Sequence, residues 1–99
     1  MMPADGWLRQ FPEATQLTVA SWFRHVRSRG VTNPTTMVAK VEVLCTQKLS
    51  WAVATESRQL CEQTLAALRC DVPGARAYAA SVLQQSVLTS KEPRGNTNI

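Results

Sequence analysis

The side chains best suited to soft nucleophilic or metal chemistry are three thiols, Cys45, Cys61 and Cys70, and one imidazole, His25. A zinc site wants about four ligands, usually Cys and His in closely spaced pairs. Here the cysteines lie far apart, no C-x-x-C spacing occurs, and His25 has no second histidine to work with. A nucleophilic triad needs a base held beside the nucleophile, and His25 falls on the polar side of its segment, where a solvated role is expected. The expectation is therefore no metal, and three reduced thiols that behave as small apolar residues.

The carboxylates are equally unpromising as an acid–base pair, because they are scattered along the chain. Arg58 and Glu62, four residues apart, read as a helix-surface pair. Neither G-x-G-x-x-G nor G-x-x-x-x-G-K-[ST] occurs, and the chain has only four glycines, so no phosphate-cradling loop is expected. Together these features predict a protein that is not an enzyme and carries no cofactor.

Charge is the next candidate. The segment from Ala20 to Lys48 holds Arg24, Arg27, Arg29, Lys40 and Lys48 with Glu42 as its one acid, a net +4 that equals the charge of the whole chain. Arginine forks suit phosphate oxygens and carboxylates, so these five residues are the candidate contacts for an anionic partner. On a helix of about 100° per residue with Val19 as origin, Arg27 lies near 80°, Arg24 near 140°, His25 near 240° and Arg29 near 280°. That spread fits a solvated face better than a groove-tracking row. The Gly-containing turn at 30–33 also suggests a helix-turn-helix. However, the first turn after Asn33 offers Thr35, Thr36, Met37 and Lys40, with no Arg or Gln in that turn to read base edges.

The apolar candidates for a contact surface are Trp7, Val43, Trp51 and Val53. Trp22 belongs to an apolar stripe and is expected in the core. Trp7 precedes the first well-marked helix, Trp51 sits at the edge of a stripe, and Val43 and Val53 lie off it. Large aromatic residues outside a core are enriched at interfaces.

The elements that would position these residues are helical. The chain has 99 residues, 44% of them hydrophobic and 18% charged, with few Gly and Pro. That composition argues against disorder and for long regular elements. Val19, Trp22, Phe23 and Val26 fall at i, i+3, i+4 and i+7, which predicts a helix over 12–29 closed by Gly30. Asn33-Pro34 is a cap followed by a first helical residue.

From 34 to 55, Met37, Val38, Val41, Leu44, Cys45, Leu49 and Ala52 form a helical stripe, with Lys48 intruding. The alternative is a hairpin at about 38–54, with Thr46-Gln47-Lys48 as its turn; that turn lacks the Gly, Asn or Asp that hairpins favour. A helix over 56–69 follows. Run together, 34–70 would be roughly 55 Å long, about twice the diameter of a compact domain of this size, so the helix is expected either to break near 55–57 or to protrude and meet a partner. Asp71-Val72-Pro73-Gly74 starts a last helix over 73–89, with Asp71 as its cap. A short turn capped by Asp5 is expected around Trp7.

The sequence therefore predicts an all-α fold, a small bundle of three to four helices, with α+β and a hairpin at 38–54 as the alternative. It predicts one helical domain over 1–90 and a flexible tail over 91–99. No run approaches the ~18 apolar residues of a membrane span, and the stretch Met1-Met2-Pro3-Ala4-Asp5-Gly6 has neither the basic nor the apolar region of a secretory leader. The location expected is cytoplasmic, without a membrane. The expected function is that of a small adaptor or regulator acting by protein–protein contact, self-association as a homodimer included. The alternative is a nucleic-acid-binding accessory protein using the basic 20–48 segment.

Overall fold

The computed structural model describes residues 6–91, with side chains to residue 84. Every regular element among them is an α-helix: α1 (Gly6–Arg9), α2 (Glu13–Ser28), α3 (Pro34–Trp51), α4 (Thr55–Cys70) and α5 (Val72–Lys91). The fold is thus the helical bundle expected, with five helices rather than three to four. The added count comes from the turn around Trp7, which closes into α1, and from a complete break between α3 and α4. The Asp5 cap, and residues 92–99 of the tail expected over 91–99, lie outside the described residues, while Lys91 belongs to α5.

Helix α2 follows its sequence pattern. Val19, Phe23 and Val26 are fully buried, and fully burying each such side chain contributes about 1.5–3 kcal/mol. Its end is set by Gly30 at φ +93°, whose amide donates to the Arg27 carbonyl at 3.0 Å. A left-handed residue there turns the chain back and satisfies a carbonyl that the helix leaves open.

Helix α3 replaces the hairpin alternative. The Asn33 side chain accepts from the Thr36 amide at 3.0 Å, and Pro34 occupies the first turn. Met37, Val38, Val41 and Cys45 are buried at helical spacing, so the β-branched run is helical because only that period brings one face inward. α3 packs against α2, α4 and α5 and is the central member of the bundle.

The break after α3 falls at Ala52–Ala54, slightly earlier than expected, with Ala52 and Ala54 extended. No Gly or Pro causes it. Arg58 Nη1 donates to the Leu49 carbonyl at 2.9 Å and the Ala52 carbonyl at 3.1 Å. These bonds serve the C-terminal carbonyls of α3 that have no intrahelical partner, so a guanidinium from the next helix does the work of a cap.

At the other end of the bundle, α1 carries Trp7 into the core. Its indole Nε1 donates to the Ala67 carbonyl at 3.1 Å. Its ring meets Phe11 at 5.4 Å, Tyr78 at 5.8 Å and Phe23 at 6.5 Å between centroids. Ala75 and Ala79, both fully buried, let α5 approach closely. The Asp71 carboxylate accepts from the Gly74 amide at 3.0 Å, so Asp71 caps α5 as its sequence position suggests. No helix among the described residues is long and apolar enough to cross a membrane.

Candidate functional site

Helices α2, α3 and α4 touch one another in the core, and on the surface they frame an open groove of about 690 Å³. That volume lies within the range of ligand clefts, roughly 300–1,000 Å³.

The α2 wall is built by helical period: Leu17, Ser21 and His25 follow at four-residue steps, with Trp22 beside them. Leu44, Gln47, Lys48 and Trp51 supply the α3 wall, and Ser57, Leu60 and Cys61 the α4 side. Trp22 is half-buried, with the His25 ring edge-on at 6.1 Å between centroids and Lys48 Nζ 5.9 Å from the ring centroid. An ammonium over an indole face gains about 0.5–1 kcal/mol at an exposed site. This contact explains why Lys48 is tolerated within an apolar stripe: the half-buried side chain reaches from α3 to the indole of α2, and its charge rests on the ring.

Two large apolar side chains on the rim face water. Trp51, the last residue of α3, is 67% exposed, and Leu17 is 64% exposed. Neither has a core position to return to. Val53, 91% exposed in the α3–α4 link, and Val43, 49% exposed, do not line the groove. Val43 lies about 80° around α3 from Trp51, on the side opposite the buried Val41 and Cys45. Of the four apolar residues expected at a contact surface, then, Val43, Trp51 and Val53 are exposed, and of these Trp51 lines the groove. Trp7 is the correction. It is 5% exposed and hydrogen-bonded inside, because α1 folds its indole against α2 and α5, so it has no surface to offer.

The basic residues divide. A second, shallower hollow of about 460 Å³ is lined by Arg29 and Lys40 and shares His25 and Leu44 with the groove, so the two are contiguous. Lys48, Arg29 and Lys40 thus border one continuous surface, whereas Arg24 and Arg27 line neither hollow. No Asp or Glu is among the residues lining either one.

Cys45 and Cys61 are buried, and Cys70 is exposed with its Sγ donating to the Ala67 carbonyl at 3.3 Å. Burial pushes the Cys45 thiol up from 9.0 to about 12, the neighbouring Cys61 adding to the rise and Lys48 opposing it. Cys45 is therefore protonated at neutral pH and inert as a nucleophile. No group of three His, Cys, Asp or Glu gathers among the described residues. The groove's lining offers apolar contact, a cation stacked on an indole, the His25 imidazole, the Cys61 thiol and a few hydroxyl and amide groups.

Leu17 is the groove residue that the sequence signals most clearly: it lies about 160° around α2 from Val19, an apolar residue on the polar side of an amphipathic helix.

The comparisons with known proteins bring no match: no family model, no curated protein and no solved structure aligns significantly with this chain.

Proposed function

We propose that this protein is a non-enzymatic adaptor or regulator of the cytoplasm that binds a protein partner along the α2–α3–α4 groove. The observation that carries the reading is Trp51, two-thirds exposed at the mouth of an apolar groove already lined by Trp22, Leu44 and Leu60. Tryptophan is the residue most enriched among the anchors that dominate binding energy at protein interfaces. An exposed indole beside a concave apolar surface gives an incoming chain both a projection and a pocket.

The distribution of charge favours a protein over a nucleic acid as the partner. A duplex is held by a set of cations that follow its phosphates, and Arg24 and Arg27 stand apart from Arg29, Lys40 and Lys48.

Parallel affinity purification from the cells that make the protein tests the reading. The wild-type chain is compared with a Leu17→Glu, Trp51→Ala double variant whose helicity is checked by circular dichroism. The expected result is a protein enriched by the wild type and lost with the variant. Identical protein profiles for both chains would refute it.

A further inference from the structure

Resting on the reading of the groove as a protein-binding surface, we infer that its occupant is an amphipathic helix with an apolar stripe and one acidic end. The groove's walls are three helices whose main-chain groups are already paired along their length. An extended strand laid there would find no backbone partners for its own amides and carbonyls. A helix satisfies its main chain internally and presents only side chains, which is what this surface can receive. The line from Leu17 to Arg29 along α2 measures about 18 Å, the length of roughly 12 helical residues.

Charge specifies the rest. At one end the lining carries Arg29 and Lys40 around the adjoining hollow, with Lys48 on the Trp22 ring partway along and no carboxylate among the described lining residues. The other end is apolar, with Leu17, Leu60 and Trp51. A helix whose Leu or Phe residues recur at i, i+3, i+4 and i+7 would fill the apolar end. Glu or Asp residues toward the other end of that helix would meet the cations, and lysines there would be repelled.

The probes are two synthetic peptides of about 15 residues, both without tryptophan and with terminal charges blocked. They share one leucine stripe; one has Glu and the other Lys at the polar positions of one end. Fluorescence of the protein's own tryptophans reports binding, since Trp22 and Trp51 line the groove. The Glu peptide is expected to saturate the signal and to bind at least about tenfold tighter than its Lys twin at low salt, with the gap narrowing as salt rises. The variants Lys48→Glu and, at an exposed position, Lys40→Glu should each shrink or invert that preference while leaving the far-ultraviolet circular dichroism unchanged.

Binding of the two peptides within about threefold of each other would overturn the acidic assignment while leaving the groove as a protein site. Failure of the Glu peptide to saturate would overturn the helix assignment as well. The affinity comparison above decides the broader reading separately. Saturation by short duplex DNA in place of the Glu peptide would overturn both.

Discussion

Replacing Trp7 and Trp51 by alanine, one at a time, should give two opposite results. A tryptophan side chain buries about 150–250 Å² when fully enclosed, and apolar area is worth about 25 cal/mol per Å². Trp7 is 5% exposed, so Trp7→Ala forfeits nearly all of that area together with the indole hydrogen bond to the Ala67 carbonyl. The expected loss is about 4 kcal/mol, within the range measured for large aromatic truncations. That is a large share of the ~5–15 kcal/mol stability of an ordinary domain.

Trp51 is 67% exposed, so only about a third of its area is at stake. The area term is at most ~1–2 kcal/mol, and alanine's better helix propensity returns about half a kcal/mol. The net change expected for Trp51→Ala is therefore below about 1 kcal/mol. Urea unfolding followed by circular dichroism measures both. Trp7→Phe, which keeps most of the packing and removes the N–H donor, should fall between them. A Trp51→Ala loss equal to that of Trp7→Ala would refute the division of these two residues between surface and core.

Three further outcomes follow from particular contacts. Gly30→Ala should destabilise by about 1–2 kcal/mol, the usual strain of a left-handed alanine. A Cβ there would meet nothing within 4 Å, so a larger loss in a urea titration would point to a steric cause and contradict this one. The Arg69–Glu42 ion pair, 2.8 Å apart with both side chains well exposed, should show a coupling of no more than about 0.5 kcal/mol in a double-mutant cycle, vanishing in high salt; coupling of several kcal/mol would contradict it. Because the folded Cys45 thiol titrates near 12 against an ordinary 9.0, the folded state keeps a proton that the unfolded chain sheds. Its contribution is full below pH 9 and is lost as pH rises toward 12. Cys45→Ala should therefore lose less stability over that interval than the wild type, and equal losses would refute it.

The bundle was legible in the sequence wherever period and punctuation agreed. Val19, Trp22, Phe23 and Val26 announced α2, Gly30 ended it, and Asn33-Pro34 and Asp71 marked the starts of α3 and α5. The break at Ala52–Ala54 was much less so. No Gly or Pro marks it, and its stabilising contact, Arg58 reaching the carbonyls of Leu49 and Ala52, spans two helices. Trp7 misled because a single helical turn has no period to read; only the tertiary contact with Ala67, sixty residues away in sequence, puts it inside. Of the candidate surface, Trp51, Val43 and Val53 were readable as apolar residues off the main stripe. The groove itself was not, since it needs Leu17, Leu44 and Leu60 from three helices whose mutual rotation is set by packing rather than by local sequence.

The most direct test of the groove as a protein contact is site-specific photo-crosslinking in the cells that make the protein. A benzophenone side chain would replace Trp51 in one experiment and Arg76, exposed on α5, in another. The account predicts one dominant protein adduct from position 51, absent from position 76 and abolished by Leu17→Glu. The same faint set of adducts from both positions, untouched by that substitution, would contradict it.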